Sequence, residues 1–294
     1  MNIKPNILIN RHAAGGDVLM TSPIVRKIYQ DRKGECNIDF YVHPECRDYI
    51  ENNPYIRNIY TGLPSPETIA KYDIYINLDL VYEKNPLMHA IDAYAMYAVG
   101  HCDFDRAVEM YTTPEQQQQA QQFRQDIGDY VVIHQRRFAW PSRNIPEKIW
   151  AGVVRELLAQ TDLKIVQVGS TNEPAFSGND RLIDARGQFG IPLLKEVIAN
   201  SKLYLGSDSG PAHVASATNT DMIVLYTSVR EEFRRPLRTQ GRFVPVVTDL
   251  DCYGCHGKNP APCTSFICHR GDIECVNRFD PEQIAQEAIK LIKS

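Results

Sequence analysis

The sequence predicts an α/β protein made of two doubly wound halves that face a cleft. Three observations carry that prediction. Short apolar strands alternate with helical stretches up to about Val99, the pattern breaks over residues 100–129, and it restarts at Tyr130. Such alternation builds a parallel sheet with helices on both faces. With 294 residues and 43% apolar content, the chain is long enough for two domains, each with its own core.

The elements follow in order. Ile7 to Asn10 is a β-rich apolar strand, and one helix is expected from Asp17 to about Tyr29. Asn37 to Val42 and Asp73 to Leu78 are strands, and Pro86 to Val99 is helical. The glutamine-rich run Glu115 to Gln122 reads as a solvated helix, since glutamine is a good helix former. The domain boundary falls close to it, giving units 1–112 and 113–280. In the second half, Tyr130 to His134, Leu163 to Val168, Leu203 to Leu205, Met222 to Tyr226 and Arg242 to Val247 are strands. Lys148 to Gln160, Leu193 to Asn200 and Ala212 to Thr218 are helices. The last helix, Pro281 to Lys293, has Asp280 as its N-cap, and the segment 281–294 is a candidate to pack back on the N-terminal domain.

Composition excludes several classes. A net charge of −4 argues against bulk nucleic-acid binding. No segment reaches the roughly 18 consecutive apolar residues of a membrane span, and the start, MNIKPNILIN, lacks a signal-peptide core. A cytoplasmic protein, with peripheral contact to an inner membrane open, is the expectation. No G-x-G-x-x-G follows the first strand, which weighs against an oxidoreductase.

The most informative stretch is LYLGSDSGPAHVASATN, residues 203–219. A strand end, a small-residue turn and a helix start with Pro211 at its first position form an anion seat. Free backbone N–H groups face the ligand there, and His213 adds a side-chain donor. A diphosphate is the natural guest. Ser209 would otherwise be a cap and His213 a surface histidine. A serine-hydrolase elbow fails, because the position between the glycines that needs serine holds Asp208.

GSDSGPAHVASA resembles the C-terminal motif D-[ST]-G-x-x-H-x-[AT]-A-[AS] of glycosyltransferase family 9, the heptosyltransferase-like enzymes. ILINRHAAGGDVLMTSPIVRKI resembles that family's opening, a strand followed by G-D-x-x-x-[TS]-[TS]-P. Ser142-Arg143-Asn144-Ile145-Pro146 resembles its [KR]-x-W-P element, with Ile145 where Trp is common. The three lie in the expected order and span nearly the whole chain. The resemblance implies the GT-B architecture of two Rossmann-like domains, an acceptor-side N-terminal one and a nucleotide-sugar-binding C-terminal one. It also implies an inverting, metal-independent transfer of a sugar, heptose foremost, from a donor such as ADP-heptose to a glycan or protein hydroxyl. Two other readings stand beside it: a nucleotide-sugar epimerase of the same fold, and a degenerate homologue that only binds sugars or partners.

Sugar transfer needs a base for the acceptor hydroxyl and stabilisation of the leaving diphosphate. The resemblance makes Asp17 the base; by itself, Asp17 after Gly15-Gly16 would read as the cap of a helix starting at Val18. Ser209, Gly210 and His213 would hold the diphosphate, with Asp208 contacting the sugar or orienting the loop. Arg143 stands where the family places a cation, and Arg136 and Arg137 end a strand where they could face phosphates or acceptor. Glu173 resembles the family's G-x-x-x-E loop near the ribose, with a plain loop position as the competing reading. The triplets Asp103-Phe104-Asp105 and Asp249-Leu250-Asp251 read as coincidence.

Five of eight cysteines fall between Cys252 and Cys275. Cys252 and Cys255, with Cys275 and either Cys268 or Cys263, can form a tetrahedral structural site for zinc or iron. His256 and His269 are substitutes, and uncoordinated thiols are the competing reading. The resemblance extends to a subgroup of protein heptosyltransferases that bind iron through cysteines in this region.

Overall fold

The computed structural model describes residues 4–135, 140–257 and 267–294. The first half comprises β1 (Asn6–Asn10), α1 (Gly15–Leu19), α2 (Ser22–Asp31), β2 (Asn37–Val42), β3 (Asn58–Thr61), α3 (Pro66–Ile69), β4 (Ile74–Asn77) and α4 (Ala90–Ala98). The second comprises α5 (Pro114–Ile127), β5 (Tyr130–His134), α6 (Glu147–Gln160), β6 (Lys164–Gln167), β7 (Leu182–Asp184) and α7 (Ile191–Ala199). It continues through β8 (Leu203–Ser207), α8 (Gly210–Ser216), β9 (Met222–Tyr226), β10 (Phe243–Val247) and α9 (Pro281–Lys293).

The strands form two sheets, ordered β3-β2-β1-β4 and β10-β9-β8-β5-β6-β7, and every pairing is parallel. β5, β8 and β9 are buried along their whole length. Their near-continuous apolar runs suit strands covered on both faces. The strand order reverses between β1 and β4 in one sheet and between β5 and β8 in the other. Ligands of doubly wound sheets sit beyond the carboxyl ends of strands at such reversals. Arg11, Asp79, His134 and Asp208 all lie at those ends.

One buried apolar cluster runs from Ile7, Ile9 and Phe40 of the first sheet, through Val18, Ala212 and Val214, to Val132 and Tyr226 of the second. A second cluster lies under α6 and α9 and includes Trp150, Val153, Ile284 and Ala288. The C-terminal helix therefore packs on α6 and β8 of the second sheet, not on the N-terminal domain. Its apolar stripe requires a packing partner, and Gly152 of α6 permits this one, since a Cβ there would lie 2.7 Å from Pro281. Asp280 caps the helix as expected, accepting from the backbone N–H groups of Glu282 and Gln283.

Two helices differ from expectation. The helix expected over 17–29 is two, parted at Met20–Thr21, where the Thr21 hydroxyl donates to the Val18 carbonyl at 2.7 Å. Pro23, without an N–H, sits in the first turn of the second piece. The stretch from Pro86 becomes helical only at Ala90, where the His89 ring accepts from Ile91 N–H as an N-cap. α5 is the expected solvated helix, with a Thr113–Gln116 capping box and Ala120 as its buried residue.

Candidate active site

α1 and α8 approach each other across a cavity of about 550 Å3 between the two halves. Glycines allow the approach: a Cβ on Gly16 would lie 2.5 Å from the His213 ring. A Cβ on Gly15 would lie 2.2 Å from the Tyr49 ring, and one on Gly210 would lie 2.9 Å from the Tyr49 hydroxyl. Tyr49 is thus wedged between the two turns.

Asp17 lines the cavity from the N-terminal side. It is not the helix cap. The cap position is Ala14, and Asp17, three residues on, accepts from the Ala14 N–H at 3.3 Å. The same carboxylate oxygen, Oδ2, accepts from Arg11 at 2.9 Å and from the Tyr82 hydroxyl at 3.1 Å. Oδ1 has no hydrogen-bond partner among the described residues, and it is the oxygen available to take a proton. Arg11 is buried and also donates to Glu83 at 2.9 Å. Burial opposes its charge, but Tyr94, Asp17 and Glu83 outweigh burial and raise its pKa further. A buried guanidinium spread over two carboxylates holds the Asp17 side chain in one orientation.

Asp208, Ser209, Gly210, His213 and Arg143 line the same cavity from the other side. Arg143 donates to the Asp208 carboxylate and, at 3.1 Å, to its carbonyl. His213 Nε2 lies 3.8 Å from Asp208 Oδ1. Burial pulls the pKa of His213 below the ordinary histidine range, against the pull of Asp208 and Asp17, so the ring is neutral at pH 7. Ser209 donates to the Ser207 carbonyl at 2.9 Å and lies 3.1 Å from His134 Nδ1. Ile145, where the family motif often has Trp, is buried and anchors this segment in the core beneath α6.

Glu173 stands apart from the other residues expected at the donor. It is buried, does not line the cavity, and lies 3.4 Å from His134 Nε2. Arg136, Arg137 and Cys263 lie outside the described residues. Sequence reasoning missed Arg11, Tyr82, Glu83 and Arg234, all of which line the cavity. A charged residue directly after an apolar strand was the one available signal, and it applies only to Arg11.

Cys252, Cys255, Cys268 and Cys275 line one separate small cavity of about 20 Å3. Burial works against the Cys268 thiolate, yet the backbone N–H groups of Ile273, Arg270 and Gly271 outweigh it and lower the pKa. Among the described residues, no three His, Cys, Asp or Glu side chains converge on one ion position. His256 lines the large cavity, and His269 is exposed. No helix among the described residues is long and apolar enough to cross a membrane.

The fold is similar to that of a glycosyl transferase family 9 protein from Veillonella parvula: 19% identity, TM-score 0.79, 100% of this chain and 98% of that one covered. It is similar to Escherichia coli ADP-heptose lps heptosyltransferase II, at 15% identity and TM-score 0.73 over 98% of each chain. It is also similar to the iron-containing dodecameric glycosyltransferase TibC of enterotoxigenic E. coli, at 15% identity and TM-score 0.73, covering 99% of this chain and 79% of that one. TibC has also been solved in complex with ADP-D-β-D-heptose. These likenesses show a GT-B fold. Comparison with curated proteins gives no match. The glycosyltransferase family 9 (heptosyltransferase) model matches residues 70–260, a stretch that includes Arg143 and the whole Asp208–His213 turn. A match over more than half of the sequence makes this glycosyltransferase a member of family 9.

Proposed function

We propose that the protein moves a sugar, heptose foremost, from a nucleotide-diphospho-sugar such as ADP-heptose to an acceptor hydroxyl, with inversion and without a catalytic metal. One observation carries this reading: a fixed carboxylate on α1 and the Ser209–His213 turn of α8 share one cavity, with Gly16 against His213. Asp17 takes the acceptor proton as the oxygen attacks the anomeric carbon. The bond from that carbon to the diphosphate breaks on the opposite face. The diphosphate leaves against Ser209, Gly210 and His213, with Arg143 and Asp208 orienting the seat. Residues 1–112 serve the acceptor and residues 113–280 the donor. The binding of ADP-D-β-D-heptose by TibC supports the choice of donor.

Incubation with ADP-heptose and candidate glycan and peptide acceptors, followed by nucleotide release and product mass, tests this. Release that depends on an acceptor, with inversion at the anomeric carbon, is the expected result. No acceptor-dependent release from any ADP-sugar would overturn the donor reading.

The cysteine cavity completes the proposal. Four cysteines line one small cavity, the ligand type and number that a structural zinc or iron ion takes, and their thiolates would close on the ion only as it binds. Such an ion would hold together a loop too poor in apolar residues to pack by itself. Elemental analysis of protein purified without a metal-affinity column should find close to one equivalent of zinc plus iron. Less than about a tenth of an equivalent in folded protein removes the site.

A further inference from the structure

The segment after β9 carries Arg234, a residue outside every motif described above. It follows a 3-10 turn, Glu231–Phe233, whose Glu231 carbonyl accepts from the Arg234 N–H at 2.9 Å. The segment is tied down on both sides. Glu231 N–H donates to the Tyr253 hydroxyl at 2.8 Å, and the Arg235 carbonyl takes a hydrogen bond from His89 Nε2, in the other half of the molecule, at 2.9 Å. Arg234 is therefore presented to the cavity from a fixed support.

Its surroundings set it apart from the other described arginines of the cavity. Arg11 is paired with Asp17 and Glu83, and Arg143 with Asp208. Arg234 has no carboxylate within 4 Å among the described residues. The one hydrogen bond of its side chain among the described residues runs from Nη1 to the Phe233 carbonyl at 3.0 Å, so most of the guanidinium's five N–H donors are uncommitted. The guanidinium lies 4.0 Å over the Tyr82 ring, and that tyrosine donates to Asp17. Burial opposes its charge, but Tyr82, Asp17, Asp208 and Tyr94 together raise its pKa. It therefore feels the acceptor-side and the donor-side carboxylate at once.

We propose that Arg234 is a further catalytic residue, which bridges the reacting centre and binds the donor diphosphate as it leaves. The proposal rests on the donor reading above. In the transfer, the acceptor oxygen forms its bond to the anomeric carbon while the carbon–oxygen bond to the β-phosphate breaks. The acceptor proton passes to Asp17, which becomes neutral, and the electron pair of the broken bond leaves one more negative charge on the diphosphate. Charge thus moves from one side of Arg234 to the other. A guanidinium in contact with the diphosphate oxygens, and farther than 4 Å from the Asp17 carboxylate, gains more from the charge that arrives than it loses from the charge that is neutralised, which is what lowers a barrier. Its planar fork also suits two phosphate oxygens better than an ammonium would.

Titration of wild type, Arg234→Gln and Arg234→Lys with inorganic pyrophosphate, ADP and AMP tests this, with thermal unfolding as the check on folding. Wild type should bind ADP more tightly than AMP and should bind inorganic pyrophosphate on its own. Arg234→Gln should weaken ADP and pyrophosphate by about tenfold or more, while AMP changes less than about twofold. Arg234→Lys should recover part of the loss, and it carries the test by itself if the Gln variant does not fold. With ADP-heptose and an acceptor, turnover of Arg234→Gln should fall by about 10²-fold at unchanged acceptor KM. If wild type gains nothing from the second phosphate, the donor reading fails and this proposal with it. If wild type gains and Arg234→Gln gains equally, Arg234 alone is overturned. An equal loss of AMP and ADP together with a lowered Tm would leave Arg234 as packing against Tyr82, which also overturns the proposal.

Discussion

The turns Ala13–Asp17 and Asp208–His213 are built from the same local parts and present opposite chemistry. Each follows a buried strand, contains glycine and one aspartate, and opens a short helix at the cavity. In the first, the aspartate comes after the glycines, within the helix, and Arg11 and Tyr82 hold one of its oxygens. In the second, the aspartate comes before the glycine, at the strand end, and Arg143 occupies its carboxylate. One turn therefore offers a carboxylate to the cavity; the other offers backbone N–H groups, a serine and a neutral histidine.

The largest expected effect comes from removing the carboxylate. Asp17→Asn keeps the shape and still accepts from Arg11, which retains Glu83, so the fold should persist. Turnover should fall by roughly 10²–10⁴-fold, the usual share of a general base, with ADP affinity preserved. Near-normal turnover would reduce Asp17 to part of the helix start and erase the contrast between the turns.

The contrast also depends on the two halves staying docked, and His89 reports on that. Its Nδ1 accepts from Ile91 N–H, so Nε2 carries the hydrogen donated to the Arg235 carbonyl. Burial, opposed by the hydrogen bond to the Arg235 carbonyl and by Asp92 and reinforced by Arg234 and His213, pulls its pKa down to about 4. A histidine whose folded pKa is depressed contributes stability that is present above the unfolded value, near 6.5, and is lost as pH falls toward about 4. The full loss is at most about 3 kcal/mol. Chemical denaturation from pH 7.5 to 4 should show it as the difference between wild type and His89→Gln. Parallel curves would mean that His89 is not buried between the halves.

Gly16→Ala strikes both turns at once. The new Cβ would lie 2.5 Å from the His213 ring. Either the halves separate slightly, at about 1–3 kcal/mol of overpacking, or the ring turns aside and ADP binding weakens. Thermal unfolding and ADP titration together catch both outcomes. No change in either would show that the turns do not touch in solution.

Strands with continuous apolar runs were legible in the sequence, β5, β8 and β9 above all, because burial on both faces leaves such runs. β3 and β7 were not. Both are edge strands, partly exposed, and a four-residue NIYT or a three-residue LID carries no run to read. Ser209, Gly210 and His213 were legible as one group lining the cavity because they lie together in one turn. Arg11 lies only six residues before Asp17, but Tyr82, Glu83 and Arg234 join the two only through folding, from segments more than 60 residues away, so no spacing rule could gather them. The place of α9 was equally hidden: its amphipathic stripe shows that it packs, while only α6 and Gly152 show where.

The smallest expected effect tests the anion side directly. His213 is neutral at pH 7, so His213→Ala should lose one neutral hydrogen bond to the diphosphate, about 0.5–1.5 kcal/mol of ADP affinity. The pH dependence sharpens this. As pH falls through the lowered pKa of His213, the ring gains a proton, and a cation beside Asp208 and the diphosphate should bind the anion more tightly, by about 1.5–3 kcal/mol in total. A bound diphosphate raises that pKa by the same linkage, so tightening should begin at a higher pH than the free protein would suggest. Calorimetric titration of ADP between pH 8 and 5 should show wild type gaining affinity in acid while His213→Ala stays flat apart from the phosphate's own protonation. Equal affinity of the two proteins at every pH would remove His213 from the site and leave the second turn with backbone donors alone.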